Sequence, residues 1–492
     1  MPSLYPHEIR KIASRSGASG FAGFYFPSLR ARGLGEEKPV PPYSAIIYKE
    51  GDEVRAEDWK SRKIASGEAG VDDASVIQSA IDNLPSGGIC FLRAGIYNIS
   101  STITINKDSI WLKGEGPHTY YGKEFGTTLR SAGANPILEI PSVAGRTHEV
   151  TISDIELDGN DLNINILKAT DADNLRLERV VARNAHGYGI YLENVWCKSQ
   201  LLNVIVAETD SGIYMEGCSH VTLINADASA RDNGYALKLT NSGSIRIIDF
   251  HAESIGANAY SIYISGGSHI FITQSEIRPG ENSYGIYASD SKRILIISSI
   301  IFNVAQGIEL NGVKYHNICG NVISSVKNDG IKITGTYGGC IIGNVIHGCD
   351  GSGIHLENIW VEVVSNNRVT DNAGKGLTII GGSGHRILCN IFSGNTADVD
   401  IDNITEHAYI NNKPELTKSA GTATFSGDGT TTQFSIAHGL VSAPTKVQVT
   451  PMTEDAAGDF YVTADDTNIY VNYKSAPPSG SDNIKLSWYA EV

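Results

Sequence analysis

The chain has 492 residues, 54 of them acidic and 39 basic, and its formal net charge at pH 7 is -15. This charge excludes nucleic acids and anionic membranes as general partners, because both require a basic footprint. Charged residues make up 19% of the sequence and glycine occurs 52 times, a composition that favours all-β or repeat architecture. The seven cysteines form no Cys-x-x-Cys motif, so the sequence predicts neither a disulfide framework nor a metal site.

The first 66 residues show no hydrophobic periodicity and carry scattered basic residues around the segment KPVPPY. We predict that residues 1–66 form an N-terminal arm or a small adaptor. The segment lacks the continuous apolar stretch of a secretory signal, and no run in the chain approaches a membrane span. We therefore expect an extracellular or virion-associated protein without a Sec signal peptide and without membrane insertion.

A change of pattern at residue 72 predicts a short helix followed by short strands. The segment DDASVIQSAIDNL places apolar residues at helical spacing after two acidic residues, and proline and a glycine pair follow it as a stop signal. The next segments, GICFLRAGIYNI, STITIN and SIWLKGEG, are β-rich stretches separated by turn residues. The sequence therefore predicts a capping helix at the beginning of a β structure.

This segment resembles the corresponding part of the pectate-lyase-superfamily, or polygalacturonase-like, right-handed parallel β-helix proteins. The residues that carry the resemblance are Asp72 and Asp73, Gly87 and Gly88, residues 94–97 and residues 112–116. Hydrolases, lyases, epimerases, phage tailspikes and adhesins share this fold, so the resemblance implies an architecture more strongly than a reaction. The adjacent-Asp and Gly-His-Gly signatures of polygalacturonases are absent, which argues against a pectin hydrolase in particular.

A repeat of about 23 residues predicts a solenoid with one coil per repeat, the coils lying about 4.8 Å apart. One recurring position precedes an outer strand: Gly189, Gly212, Gly234, Ser261, Gly285, Gly307, Gly330, Gly353 and Gly376. A second recurring position is Asn321, Asn344, Asn367 and Asn390, preceded by Ser298. We predict that these asparagines form a structural ladder at a turn, with amides bonded between neighbouring coils.

The predicted fold class is all-β, with a right-handed parallel β-helix and its capping helix over residues 67–412. After this segment the 23-residue period disappears, and apolar and polar residues alternate between Gly, Asp and Pro turns. We predict a sandwich-like antiparallel β domain over residues 413–492, serving trimerisation or carbohydrate binding. The expected assembly is a homotrimer.

Strand alternation predicts which side chains of the repeated strand face outward. In GIYLEN, residues 189–194, the tyrosine and the glutamate point out. Alignment on the glycines predicts one outer column with Tyr191, Tyr214, Ala236, Tyr263 and Tyr287, and a second with Glu193, Glu216 and Lys238. Stacked tyrosines offer sugars a flat apolar platform with a polar tip, so we predict a carbohydrate-binding face. The alternatives are an oligomer interface and simple strand packing.

The turns before these strands supply candidate catalytic groups. Asp210 and Asp232 occupy equivalent positions of successive coils, so we expect them to be near neighbours. Glycoside hydrolysis needs one protonated and one ionised carboxyl, about 5 Å apart for retention and roughly 6.5–9.5 Å apart for inversion. The catalytic candidates are Asp210, Asp232, Glu193, Glu216 and Glu208. The substrate-binding candidates are Tyr191, Tyr214, Tyr263, Tyr287, Lys238, His186 and Arg231.

The sequence predicts a polysaccharide-degrading enzyme, a glycoside hydrolase that acts along the outer face of the β-helix without a cofactor. A polysaccharide lyase or uronate epimerase is the first alternative. It would take its base from Lys238, Arg231, His186 or Tyr214 and would use calcium to neutralise the uronate carboxylate. The second alternative is a non-catalytic glycan-binding adhesin or viral receptor-binding fibre.

Overall fold

The computed structural model of the protein describes residues 43–117, 126–142, 145–254, 257–278, 280–402, 408–410, 412–413, 418–438, 440 and 442–492. All of them fall in one compact unit. Residues 1–42, the larger part of the predicted arm, lie outside the described residues.

Parallel strands build a solenoid of about thirteen turns in the described part of the chain. Each strand pairs with the strand one turn later, as Ile190 pairs with Ile213 and Ile213 with Leu237. The pairing separates three sheets, here called A, B and C, which follow one another within a turn. The predicted all-β class and parallel solenoid are therefore confirmed.

The three sheets take one strand, or part of a longer strand, from each turn. Sheet A contains Ala45–Glu50, Gly88–Leu92, Ile110–Lys113, Gln200–Leu202, Ser268–Thr273, Lys292–Ile297, Asn317–Cys319, Tyr337–Ile342, Arg386–Leu388 and Ala408–Ile410. Sheet B contains Gly95–Ile99, Thr127–Ser131, Glu276–Ile277, Val322–Val326, Val345–Cys349, Arg368–Thr370 and Ile391–Ser393. Sheet C contains Ile103–Thr104, Leu138–Ile140, Leu167–Thr170, Tyr235–Thr240, Tyr260–Ser265, Gly280–Ser289, Ile331–Thr334, Lys375–Ser383 and Ala397–Asp402.

Longer strands continue from one sheet into the next and thereby join the faces of the solenoid. These strands are Thr151–Leu162, Arg176–Glu193, Ile205–Glu216, Thr222–Ala230, Gly243–Ser254, Ile300–Asn311 and Ile354–Ser365. A short parallel pair, Thr147–His148 with Ala172–Asp173, lies apart from the three sheets.

The described part of the chain begins with strands that are already paired with the solenoid. Ala45–Glu50 pairs in parallel with Gly88–Leu92 and antiparallel with Glu53–Asp58, which in turn pairs with Lys63–Glu68. The sequence pattern predicts residues 45–66 as part of the N-terminal arm. Their strands are short, and each of the first two contributes only two buried apolar side chains, too few to show a period.

The predicted capping helix is present as Asp73–Asn83, with its apolar side chains buried. The buried carboxylate of Asp73 accepts a hydrogen bond from Lys49 Nζ at 2.8 Å and another from the backbone N–H of Asn98 at 2.7 Å. These bonds tie the beginning of the helix to two strands of the solenoid. No helix among the described residues combines the length and the hydropathy that crossing a bilayer requires.

Apolar side chains fill the solenoid in columns, one residue per turn. One such column in sheet A consists of Leu201, Leu223, Ile247, Ile272, Ile296, Ile318, Ile341, Val364 and Ile387. The recurring glycines are required because the backbones of neighbouring turns approach closely. A Cβ atom at Gly307 would lie 2.1 Å from the carbonyl oxygen of Gly330. The repeat therefore retains glycine for a steric reason that is independent of function.

The predicted asparagine ladder is present. It consists of Asn321, Asn344, Asn367, Asn390 and Asn412, the first four fully buried. Asn321 Nδ2 donates to Asn344 Oδ1 at 3.0 Å, and the bond repeats along the ladder at 2.8–2.9 Å. Ser299, rather than Ser298, occupies the preceding position, because its backbone N–H donates to Asn321 Oδ1 at 2.9 Å.

The core of sheet A also contains an ionisable pair that the sequence pattern does not predict. His316 Nε2 lies 2.9 Å from Glu362 Oε1, and both side chains are fully buried. The two residues are two turns apart. Gly339 on the intervening turn makes the contact feasible, because a Cβ atom there would lie 2.1 Å from His316 Nε2. A buried polar group needs such a partner to offset its desolvation.

The C-terminal strands form two antiparallel sheets of their own in the described part of the chain. One contains Lys418–Gly427, Lys446–Pro451 and Gly480–Glu491, and the other contains Gln433–Ala437, Phe460–Ala464 and Asn468–Tyr473. Both sheets contribute to one core that includes Phe434, Ile436, Ile469, Val471, Ile484 and Leu486. The predicted antiparallel C-terminal structure is confirmed.

We predict that Asn367→Ala lowers the free energy of unfolding by about 1–3 kcal/mol, because it leaves buried polar groups without partners. Asn344 would lose its acceptor, and the carbonyl of Ile341 would lose its donor. Urea unfolding followed by circular dichroism measures the change. The control is Asn311→Ala, at an exposed position of sheet C, which should change stability by less than about 0.5 kcal/mol. Equal stability of the two variants would contradict the role of the ladder.

Candidate functional site

The outer face of sheet C carries a column of four tyrosines and one lysine on five consecutive turns of the described chain. In the register of the paired strands, Tyr191 lies beside Tyr214 and Tyr214 beside Lys238. Lys238 lies beside Tyr263, which lies beside Tyr287. The structure thus brings the predicted binding tyrosines and the predicted lysine together in a single column.

The register differs from the sequence prediction at one turn. Ala236, predicted to lie in the tyrosine column, is fully buried instead. Lys238 was expected beside Glu216, but Thr240 is the residue that pairs with Glu216. Between sheets B and C this turn is two residues longer than the preceding one, because Val206 pairs with Ala228 but Tyr214 pairs with Lys238. Alignment on Gly234 therefore displaces the strand by two positions.

A second tyrosine column runs along the edge of the same face. Tyr235 pairs in register with Tyr260, and Tyr260 with Tyr284, whereas Tyr188 lies on the same edge two turns earlier. The ring centroids of Tyr260 and Tyr284 are 4.6 Å apart and stacked, and those of Tyr235 and Tyr260 are 5.6 Å apart. The two columns also touch each other, with Tyr188 5.1 Å from Tyr214.

Together the two columns form one surface, here called the tyrosine face. Its members among the described residues are Tyr188, Tyr191, Tyr214, Tyr235, Tyr260, Tyr263, Tyr284 and Tyr287. Lys238 joins its two halves, because its Nζ lies 4.7 Å from the ring centroids of both Tyr214 and Tyr235. Within the described residues, no carboxylate forms an ion pair with Lys238. The ammonium group can therefore interact with an anionic ligand.

Glu193 and Glu216 form a carboxyl pair beside the tyrosine face. They are neighbours in register on adjacent strands, so their backbones lie about 4.8 Å apart. Glu216 Oε2 accepts hydrogen bonds from the hydroxyls of Tyr191 and Tyr214, both at 3.1 Å. Burial and the charges of both glutamates raise the pKa of Tyr191, so this hydroxyl remains a donor at neutral pH. Glu193 lies 3.9 Å from Lys168 Nζ, beyond hydrogen-bond distance.

A charged cluster lies where sheets B and C meet, two residues before Tyr188 in the chain. His186 Nδ1 lies 3.2 Å from Asp210 Oδ1, and its Nε2 lies 3.1 Å from Asp161 Oδ1. Arg231 Nη1 lies 3.0 Å from His186 Nδ1 and 3.5 Å from Asp210 Oδ1. The structure therefore unites three predicted site residues and adds Asp161. We call this group the histidine cluster.

Two of the predicted catalytic carboxylates lie outside the tyrosine face, the carboxyl pair and the histidine cluster. Asp232 is exposed in its turn and makes no hydrogen bond or ion pair with another described residue. Glu208 is exposed and lies 3.7 Å from Arg183 Nη1, whose guanidinium also contacts the buried Glu156 at 3.0 Å. The polar contacts of Asp210 are with the histidine cluster rather than with Asp232.

The sequence pattern does not predict Asp161 as a site residue. The tyrosines of the edge column are not predicted to bind either, although a motif in the sequence indicates them. The motif Tyr-x-x-Tyr begins at Tyr188, Tyr260 and Tyr284, and Tyr235 begins the related Tyr-x-x-Lys. Side chains three positions apart point to opposite faces of a straight strand. Here both rings of the motif face the same surface, because the ring centroids of Tyr188 and Tyr191 are 6.0 Å apart and those of Tyr260 and Tyr263 are 5.3 Å apart. Asp161 lies in a segment of irregular strand pairing, where neither the alternation of side chains along a strand nor the 23-residue repeat applies.

Solved structures of β-helix proteins are similar to this chain. The A-module of mannuronan C-5 epimerase AlgE6 from Azotobacter vinelandii has a TM-score of 0.53 and 16% identity, over 71% of this chain and 97% of that module. The tailspike protein gp49 of Pseudomonas phage LKA1 has a TM-score of 0.44 and 11% identity, over 85% and 92%. The surface adhesin PfbA of Streptococcus pneumoniae has a TM-score of 0.41 and 14% identity, over 70% and 90%.

The likeness to the epimerase module shows the fold, and the chain is a right-handed parallel β-helix protein. A family model described as periplasmic copper-binding protein (NosD) matches residues 227–427. Within the described residues, no group of three or more His, Cys, Asp or Glu side chains is arranged to hold a metal ion. No curated protein sequence matches the chain.

We predict that Gly234→Ala disturbs the histidine cluster, because a Cβ atom at this position would lie 1.8 Å from the carbonyl oxygen of Asp210. Overpacking of this kind costs about 1–3 kcal/mol, which urea unfolding measures. The control is Gly335→Asn, where no atom lies within 4 Å of the new Cβ and asparagine tolerates the left-handed backbone. Unchanged stability of Gly234→Ala would contradict the close approach of the two turns.

Proposed function

We propose that this protein binds a polysaccharide along the tyrosine face of sheet C. The observation that carries the proposal is the mutual contact of eight tyrosine rings and Lys238 on five consecutive turns of the described chain. Aromatic rings offer a sugar an apolar surface, and the hydroxyls at their tips add hydrogen bonds. From the turn of Tyr191 to that of Tyr287 the face extends over about 19 Å, which accommodates several sugar units.

We propose glycoside hydrolysis with retention as the reaction, with Glu193 and Glu216 as the carboxyl pair. Their strand spacing of about 4.8 Å supports this, because retaining enzymes hold their carboxyls about 5–5.5 Å apart. The hydroxyls of Tyr191 and Tyr214 both donate hydrogen bonds to Glu216 Oε2 and hold its carboxyl group in place, which suits a nucleophile. Glu193, the other member of the pair, takes the role of general acid.

In this mechanism the Glu216 carboxylate attacks the anomeric carbon while Glu193 protonates the departing glycosidic oxygen. Glu193 then removes a proton from water, which attacks the anomeric carbon, breaks its bond to Glu216 and releases the sugar. These two steps require no cofactor. The tyrosine face holds the polymer in place so that one linkage lies between the two carboxyls.

A second reaction, elimination or epimerisation of a uronate, is supported by Lys238 and the histidine cluster. Lys238 has no carboxylate partner among the described residues and would neutralise a uronate carboxylate. His186, oriented by Asp210 at Nδ1, would remove the proton next to that carboxylate through Nε2 once this nitrogen is released from the exposed Asp161. Non-catalytic adhesion to glycans, the third candidate, would use the tyrosine face alone.

We further propose that the chain forms a homotrimer through the outer face of sheet A and acts outside the cytoplasm. Ten consecutive turns carry mostly apolar side chains on that face: Leu202, Ile224, Ile248, Thr273, Ile297, Cys319, Ile342, Ser365, Leu388 and Ile410. Phe271, Leu295 and Val363 lie beside them. Monomeric proteins rarely expose contiguous apolar surface of this extent, which supports burial against further copies. The periplasmic description of the matching family model supports the proposed location.

We expect the purified protein to release reducing ends from at least one member of a panel of neutral and acidic polysaccharides. Glu216→Gln and Glu193→Gln should each lower the rate at least about 100-fold. The matched control is Glu357→Gln, in the same outer column six turns after Glu216, which should leave the rate unchanged. Full activity of Glu216→Gln would contradict the carboxyl pair.

The same assay separates the three candidate functions. Reducing ends without the ultraviolet absorbance of unsaturated uronates indicate hydrolysis, whereas both signals together indicate elimination. Neither signal, with the glycan still bound, indicates an adhesin or an epimerase, and proton exchange at uronate carbons distinguishes these two. A rate that falls with Asp210→Asn but not with Glu216→Gln would assign the chemistry to the histidine cluster.

We predict that Ile342→Glu converts the proposed trimer into monomers, because a charge in an apolar interface is left without a partner. Size-exclusion chromatography with light scattering measures the mass. The control is Ile300→Glu, at an exposed isoleucine of sheet B that is 47% accessible, which should leave the mass unchanged. A monomeric wild-type protein would contradict the assembly.

A further inference from the structure

A strip of exposed cationic and aromatic side chains lies at the corner between sheets C and A, apart from the tyrosine face. Lys292, Lys314, Tyr337 and Trp360 occupy one column on consecutive turns. Tyr315 lies next to this column, and its ring centroid is 6.2 Å from that of Tyr337. The three aromatic residues are 52%, 49% and 45% exposed in chain order, which is high for rings of this size. We call this group the corner strip.

The cations of the corner strip are not neutralised by the protein. Lys292 and Lys314 are exposed, and Arg293 places its guanidinium carbon 5.9 Å from the ring centroid of Tyr315. None of the three forms an ion pair with a carboxylate of the described residues. In a chain whose net charge is -15, three neighbouring cations without carboxylate partners give the corner a charge opposite to that of the whole molecule.

We infer that the corner strip binds an anionic polysaccharide, one whose sugar units carry carboxylate or sulfate groups. The sugar rings stack on Tyr337 and Trp360, and the anionic substituents lie against Lys292 and Lys314 on the two preceding turns. Four turns span about 14 Å, so a single polymer segment contacts both the cations and the rings. An uncharged glycan has no anionic group that could pair with Lys292 and Lys314.

The position of the corner strip connects it with the tyrosine face. Tyr287 belongs to the last turn of that face, and Lys292 follows it on the same turn by five residues. A polymer that lies along the tyrosine face therefore reaches the corner strip where the face ends. The inference rests on the proposed function only in that the ligand is a polysaccharide. It adds a second binding surface and a requirement for negative charge.

The test is calorimetric binding of oligogalacturonate, with a neutral galactose oligosaccharide of the same length as its counterpart. Trp360→Ala and Tyr337→Ala should each weaken the binding of oligogalacturonate about 3- to 10-fold, as expected for loss of one stacked ring. The double substitution Lys292→Gln with Lys314→Gln should weaken it at least as much and reduce its dependence on salt. The control is Tyr461→Ala, at a tyrosine of the C-terminal sheets that is 60% exposed, which should leave the binding of oligogalacturonate unchanged.

A parallel measurement with Tyr214→Ala and Tyr263→Ala combined separates this inference from the proposed function. Loss of binding in that variant, with unchanged binding in all corner variants, overturns the inference and leaves the proposed function standing. Loss only in the corner variants supports the inference and contradicts the tyrosine face as the binding surface. Equal affinity for the neutral oligosaccharide, no binding of oligogalacturonate by the wild type, or a change of oligomeric mass in Trp360→Ala also overturns it.

Discussion

The structure depends on one constraint, the in-register hydrogen bonding of each turn to the next at a spacing of about 4.8 Å. Because the turns are parallel and of nearly equal length, a residue and its counterpart about 23 positions later become direct neighbours. Inward-facing positions therefore become columns of isoleucine, leucine and valine. Where two backbones approach most closely only glycine fits, and where a buried turn leaves amides unpaired an asparagine ladder bonds them.

The same stacking turns outward-facing positions into columns, but it does not dictate their chemistry. The column that carries the tyrosines on the early turns continues as Glu309, Lys332 and His355 further along. The solenoid therefore accepts very different side chains at this position, because they pack mainly against each other and against solvent. The fold therefore does not require the eight tyrosines that lie on these five described turns.

The carboxyl groups near that surface lie in two different environments. Glu216 accepts hydrogen bonds from two tyrosine hydroxyls and lies within the platform itself. Asp210 lies at the corner, where it contacts His186 and Arg231. The first arrangement suits a reaction that needs a pair of carboxyls, and the second suits one that needs a base beside a cation. Both arrangements lie beside the tyrosine face.

The sequence by itself determined the period, the parallel solenoid, the capping helix and the asparagine ladder, because strand alternation and a constant turn length act locally. It also determined that Tyr191, Tyr214, Glu193 and Glu216 face outward. Only the tertiary structure decided which residues meet across turns. A corner two residues longer than that of the preceding turn placed Lys238 among the tyrosines. An irregular segment brought Asp161 to His186, and glycine on an intervening turn let His316 reach a residue 46 positions away. Such contacts depend on register and corner geometry, which no local pattern contains.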